Sequence, residues 1–465
     1  MPNIFKDEYE LAIEKGCYIE RDCYSKLLDW KNRKARNHNA LFIRGARRVG
    51  KSVLALELAH KEYKSFIKIS FDRANDDLKN LFVNELNDLD YFYSVLETTF
   101  STKLFEGESL IILDEIQLFK PARQAIKTLL LDGRYDIIET GSLASIVKSN
   151  DDEDYLLPSE ETKIDVNPIS FFEYLKACGD DFSLELMNIC FLKRKPLGAA
   201  YRKIYLKFRE YLFVGGMPAP LSTYLKTKSL IEAEEIKREI IELYRDDFAK
   251  QKNENPIYVA SIFDMIPSEL SNHDKRFKYV HINSQARERE YNGAFNWLVK
   301  AYIVNPCYNS TDPSVLPTLT MSGFDFKAYL IDTGLLYTLS FMDTNQDEFF
   351  YKSLILDKLH LNEGMFAENY ISQALKNNGK KLNYKKKRDE NTYRTIIEID
   401  FLTIQNRKIT PLEVKSGDNI TLKSLKKFKD TFKNTVNNGI VLYDGDIKIV
   451  DDILYLPLFM IDYLK

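Results

Sequence analysis

Asp400, Glu413 and Lys415 stand in the stretch TIIEIDFLTIQNRKITPLEVKSG (395–417), two carboxylates and an amine on neighbouring apolar runs. Alternation places Ile397, Ile399 and Phe401 on one side of the first run and Asp400 on the other. Glu413 and Lys415 are two apart, so in a strand they share a face about 7 Å apart. Such a set is either an ion-pair ladder or a metal-dependent phosphodiester-cleaving centre, in which carboxylate oxygens hold Mg²⁺ and the amine orients a water. Glu368 lies upstream among Phe366, Tyr370 and Ile371 on the amphipathic stretch EGMFAENYISQALKNNG. Glu-x-Lys is a weak signal alone, and the full set is more specific.

A second set lies toward the other end of the chain. Leu41 to Ile43 lead into Gly45-Ala-Arg-Arg-Val-Gly50-Lys51-Ser52, and an Ala/Leu-rich run follows. This fits G-x-x-x-x-G-K-[ST] between a strand and a helix. The glycines let backbone N–H groups close on phosphate oxygens at a helix N-terminus. The expected nucleotide set is Gly45, Arg48, Val49, Gly50, Lys51, Ser52 and Val53. Lys51 would reach the β- and γ-phosphates of ATP, and Ser52 would ligate Mg²⁺. In SLIILDEIQ the apolar run Leu110 to Leu113 reads as a strand buried on both faces. Asp114 at its end would hold the metal, and Glu115 would accept a proton from the attacking water. Thr140 and Ser142 end the next strand, as γ-phosphate sensors or as simple strand caps. Arg123 and Arg134 are candidates for an arginine finger, and neither is assigned.

The elements that must position these residues divide the chain into four. Residues 1–175 alternate strands and helices as a parallel α/β nucleotide-binding domain, with an acidic loop at 149–155. Residues 176–255 turn helical in period, as a lid. Residues 256–345 read as helices followed by a short hairpin, the order of a winged helix. There Lys275, Arg276, Lys278, Arg287 and Arg289 are candidate phosphate contacts, or a solvated charged face. Residues 346–465 carry the helix, strands and helix that hold the acidic set. The run KKKRDE (385–390), near Tyr384 and Tyr393, is either a backbone-tracking strip or a hairpin tip in water.

Composition sets the outer bounds. The 465 residues carry a net charge of -3, with 45% hydrophobic and 29% charged residues, ordinary for a soluble globular protein. No apolar run approaches the roughly 20 residues of a membrane span. The first residues lack a signal-peptide core, and the five cysteines are scattered without zinc spacing. A cytoplasmic protein with reduced thiols and no membrane partner is expected.

The chain resembles a prokaryotic family of AAA-type P-loop ATPases whose C-terminal domain looks like a restriction-nuclease fold. The marks are GARRVGKS, ILDEIQ, ETGS, NPISFFEYL, FREYLFVGGMP, IIELYRDDFAK, FKAYLIDTGLL, GMFAENYISQAL, EIDF and PLEVKSG, in the family's order. One departure stands out. Many relatives carry Gly-Arg shortly before the P-x-S-F segment, where this chain reads LLPSEETKIDVNPISF. The resemblance implies the fold class: an AAA-type domain with a helical lid, a winged-helix-like domain and a nuclease-like α/β domain. It implies nucleotide binding and, for the nuclease-like domain, the metal ligands Glu368, Asp400 and Glu413; with the motifs at both ends the chain is expected to be an ATPase whose nucleotide state controls a Mg²⁺-dependent DNA nuclease-like module. The alternative is an ATP-driven switch whose later domains bind DNA or a protein without cutting. DNA is the leading partner, and a protein partner and self-association stay open.

Overall fold

A computed structural model of the chain describes residues 6–33, 39–142, 160–251, 254–313, 321–342, 348–356, 363–389, 391–392, 394–405, 407–416, 422–433 and 435–464. The acidic loop expected at 149–155, together with Glu390 and Tyr393, lies outside them. The chain forms two compact units, Met1–Asn167 with Lys300–Tyr302, and Pro168–Val299 with Ile303–Lys465.

The first unit is built on a five-stranded parallel sheet. Its strands are β1 (Ala40–Arg44), β2 (Ser65–Ser70), β3 (Ser109–Asp114), β4 (Asp136–Gly141) and β5 (Glu161–Asp165), in the order β2-β3-β4-β1-β5. β3 is buried along its whole length, as an all-apolar run in a central parallel strand should be. The amphipathic helices Leu89–Phe100 and Lys120–Asp132 bury Phe92, Leu96, Ala122, Ile126 and Leu129 in the same cluster as Ile111 and Leu113. β4 lies between β1 and β3, so the ends of all three strands fall side by side.

The second unit begins with helix Phe171–Ala177 and goes on to the helices expected as a lid: Asp181–Lys193, Tyr201–Val214, Pro218–Thr227 and Leu230–Lys250. By contact these helices and residues 168–175 belong to the second unit. Here Lys237 donates to the Phe213 carbonyl at 2.6 Å, and the Phe213 and Tyr337 rings meet at 5.1 Å. Helices Pro256–Ser271 and Glu288–Lys300 come next, followed by the antiparallel pair β6 (Val304–Ser310) and β7 (Met321–Leu330).

That pair is not a free wing. β6 runs parallel to β8 (Asn383–Arg388), which pairs with β9 (Thr395–Ile399), giving a four-stranded sheet β7-β6-β8-β9. The sheet therefore crosses the boundary expected at 345. A second sheet has the order β10-β11-β12-β14-β13, from β10 (Phe401–Gln405), β11 (Lys408–Lys415), β12 (Ile440–Tyr443), β13 (Lys448–Val450) and β14 (Ile453–Pro457).

The motifs VGGMP and IDTGLL are one joint. Buried Asp332 accepts from the Gly216 N–H at 2.6 Å and caps helix Thr333–Ser340 through the Leu335 N–H at 2.9 Å. Gly215 has φ +81°, and a Cβ there would overlap Asp332 Oδ1 and stand 2.9 Å from the Gly334 Cα. Only glycine fits.

Candidate nucleotide site and acidic centre

β1 delivers the chain into the loop 45–50, and helix Lys51–Glu62 leaves it. Gly45 has φ +155°, and a Cβ on it would overlap the Val166 carbonyl oxygen. Gly50 caps the helix with φ 97°, and Arg48 holds φ 69°. Arg21 donates to the Val49 carbonyl at 3.3 Å and to the Asn167 carbonyl at 2.6 Å, bracing the loop from outside. Sequence reasoning missed Arg21, because its partners are 28 and 146 residues away. Lys51 is buried, and its ammonium donates to the carbonyls of Gly45 (3.2 Å) and Ala46 (2.9 Å). Burial lowers its pKa, and the nearby carboxylates of Glu115 and then Asp114 oppose that.

Asp114 is the hub. Its Oδ1 accepts from Ser52 Oγ at 2.8 Å and from Thr140 Oγ1. Its Oδ2 accepts from Ser70 Oγ at 3.3 Å and pairs with Lys68 at 3.3 Å. Burial would raise this carboxyl, but Lys68 and the Thr140 and Ser52 hydroxyls outweigh it and hold it below the usual range. The Thr140 hydroxyl also accepts from the Glu115 N–H at 3.2 Å, and Gln117 Nε2 donates to the Glu115 carboxylate. Thr140 thus touches both residues assigned to metal and water, a role that neither the sensor nor the strand-cap expectation contains. The hydroxyl of Ser52 beside the carboxylate of Asp114 is a hard-oxygen pair that fits Mg²⁺, and the loop, with glycine at both ends and a buried lysine after it, fits a polyphosphate.

The arginine candidates are committed elsewhere. Arg123 is buried, bonded to Glu161 at 2.8 and 3.1 Å, and 3.6 Å from Glu139. Arg134 is paired with Asp132 and Asp90.

In the second unit Glu368, Asp400, Glu413 and Lys415 do fall into one neighbourhood. Helix Glu363–Asn377 carries Glu368, the β9–β10 junction carries Asp400, and β11 carries Glu413 and Lys415. Asp400 Oδ2 accepts from the Val414 N–H at 2.9 Å, and Lys415 pairs with Glu413 at 2.6 Å. Two further lysines enter. Lys327 of β7, 1% exposed, lies 3.2 Å from Glu368 Oε2 and 3.6 Å from Asp400 Oδ1. Lys275 reaches Glu368 Oε1 at 2.5 Å, and Tyr329 donates to Oε2 at 2.7 Å.

Burial would raise Glu368, but Lys327 and Lys275 bring it down to about 2. Burial, with Asp400 and Glu368 repelling, pushes Glu413 up to about 8, and Asp400 is raised by burial and by Glu368.

This donor set does not fit a divalent cation. An ammonium already bridges Glu368 and Asp400. Among the described residues, the metal-competent group whose ligand atoms lie within 4.8 Å of one another is Asp7, Glu10 and His60, on the first unit's surface. Glu413 Oε2 is buried without a hydrogen bond.

Of the cations expected to meet phosphate, Lys275 is spent on Glu368, and Arg276 and Lys278 pair with Asp274 at 2.9 and 3.2 Å. Lys386 and Arg388 join the same carboxylate. Arg287 and Arg289 are exposed.

Residues 37–175 match the family model described as AAA domain, and the first unit carries an AAA-type P-loop ATPase domain. Residues 205–346 and 363–459 match two models, each described as a domain of unknown function (DUF8612 and DUF4143). Comparison with curated proteins found no match. Among solved structures, the Walker-type ATPase paby2304 of Pyrococcus abyssi is 14% identical with a TM-score of 0.43, over 69% of this chain and 96% of that one. The ORC2 protein of Aeropyrum pernix, in ADPNP–ADP complexes, is 13% identical with a TM-score of 0.37, over 73% and 96%. AMPPCP-bound DnaA from Aquifex aeolicus is 15% identical with a TM-score of 0.28, over 61% and 88%. No helix among the described residues is long and apolar enough to cross a membrane.

Proposed function

We propose that the chain is an ATP-operated switch: the first unit binds and hydrolyses ATP with Mg²⁺, and the second unit engages DNA without cutting it. The observation that carries the hydrolytic half is the contact chain Ser52–Asp114–Thr140–Glu115, which ties the metal-side oxygens to the backbone of the base. Lys51, in its buried cradle, binds the phosphate charge. Ser52 and Asp114 would hold Mg²⁺, which when bound neutralises charge on the phosphate oxygens. The Glu115 carboxylate takes the proton of the attacking water. With Arg123 and Arg134 committed to carboxylates, turnover by the chain alone is slow, which suits a timer.

The DNA half rests on helix Lys423–Thr431. Its Leu425 and Phe428 are buried against Ile397 and Ile399 of β9, while Lys423, Lys426 and Lys427 are exposed. Lys387 and Arg394 are exposed on β8 and just before β9. In a chain of net charge -3, such local clustering of cations suits a phosphate backbone. The unfitting donor set of the acidic centre favours binding over cleavage.

The test joins both halves. Lys51→Ala should abolish ATP binding, and Glu115→Gln should bind ATP without turnover. Labelled duplex DNA should bind the wild type differently with ATP and with ADP. Replacing Lys423, Lys426 and Lys427 by Ala should weaken that binding and flatten its salt slope by about 0.9 for each phosphate that is no longer neutralised. Unchanged ATP affinity in Lys51→Ala sinks the site. DNA affinity indifferent to nucleotide and to the three lysines moves the partner to a protein.

A further inference from the structure

We infer that Lys327 stands in for a divalent cation at the acidic centre of the second unit, making it a metal-independent ionic staple rather than a metal site. This goes beyond the switch reading, and its failure would leave the ATP site untouched.

The geometry is that of a cation site already filled. The Lys327 ammonium lies between carboxylates from two elements, Glu368 on its helix and Asp400 between two strands. It also sits 5.3 Å from the Tyr384 ring centroid, whose π-face is a further attraction for a cation. Its neighbour on the same strand face, Tyr329, donates to the same Glu368 oxygen. Helical Glu368 is thus held by three donors from outside its own element, Lys275, Lys327 and Tyr329.

Three carboxyl groups meet three ammonium groups here, so no further positive charge is needed. A bare metal entering between Glu368 and Asp400 would have to displace a buried ammonium, since Lys327 is 1% exposed. Breaking such a pair is costly, because it strands a buried charge.

The staple joins pieces of chain that come from the two halves of the unit. Lys275 follows helix Pro256–Ser271, Lys327 is on β7 of one sheet, and Glu413 and Lys415 are on β11 of the other. The cluster therefore fixes how the helix that bears Glu368 sits on both sheets.

The experiment uses the full chain without nucleotide, with Mn²⁺ as the probe. Mn²⁺ binding is followed by electron paramagnetic resonance, and thermal melts are run in Mn²⁺ and in EDTA. The wild type should show no Mn²⁺ site that depends on Asp400, and the same melt in both conditions after subtraction of the Asp400→Asn control. Lys327→Met removes the ammonium at similar length. It should melt lower in EDTA and regain stability in Mn²⁺, and the added Asp400→Asn change should abolish that recovery. Lys327→Arg should fold without gaining a metal response. A wild-type Mn²⁺ site lost in Asp400→Asn overturns the proposal, and that arm decides even if Lys327→Met does not fold. A Lys327→Met protein that melts like the wild type and ignores metal overturns it as well.

Discussion

Thr140→Val isolates the contact that ties the metal side of the nucleotide site to its base. The hydroxyl is fully buried, donates to Asp114 Oδ1 and accepts the Glu115 N–H at 3.2 Å. Valine keeps the branched shape and loses both bonds. The bond to the carboxylate contributes about 1.5–3 kcal/mol, and a stranded buried N–H costs about 1–3 kcal/mol. Asp114 would still be held by Ser52 at 2.8 Å, Ser70 at 3.3 Å and Lys68 at 3.3 Å, so the metal side survives. Glu115 loses the anchor of its own N–H, and it already sits at a strained φ of 53°. The loss should therefore fall on turnover. If about 1.4–2.8 kcal/mol of it is felt in the transition state, kcat drops roughly 10- to 100-fold. ATP affinity, set by Lys51 and the loop, should hold within about threefold, well under 1 kcal/mol. Thr140→Ser restores the oxygen and should restore kcat. Steady-state hydrolysis with nucleotide binding by fluorescence reads the split. A kcat within twofold of wild type would refute the positioning role. Selective loss of ATP over ADP affinity would instead make Thr140 a γ-phosphate sensor.

Two further outcomes follow from the second unit. Gly215→Ala, which forces a Cβ into Asp332 at φ +81°, should destabilise the unit by about 2–4 kcal/mol while ATP affinity stays at the wild-type value; an unchanged denaturant midpoint would count against the Asp332 joint. Asp180 pairs with Lys207 at 2.6 Å and Lys203 at 3.1 Å, and these with Ser183 outweigh its burial and bring its pKa down to about 2. A folded pKa below the unfolded value of about 3.9 stabilises above that value and is lost as pH falls through about 2. The melting-temperature gap between wild type and Asp180→Asn should thus be full at pH 5 to 7 and narrow below about pH 4; a gap independent of pH would show that the carboxylate does not act through its charge.

Chemistry carried by contiguous residues was legible in the chain alone. Gly45 to Ser52 need only a strand before them and a helix after, and Asp114 needs only the apolar run that it ends. β1, β3 and the loop between β1 and its helix could therefore be read directly. That Glu413 and Lys415 share a face was also foreseeable, because alternation fixes it within one strand, whereas their grouping with Glu368 and Asp400 was expected only from the family resemblance.

What fills that group was settled by the way the strands assemble. Lys327 is 41 residues from Glu368 and Lys275 is 93, and only strand order and register bring them there. Read locally, Lys327 in FKAYL is one charge in an apolar strand, and Lys275 looks like a phosphate contact. Arg123 went the same way: its helix turns it onto Glu161 of β5, 38 residues on, instead of toward solvent. Hydrophobic period tells which face of an element is buried, but the partner across that face depends on how the sheet is ordered. For buried charges the partner is what decides the chemistry.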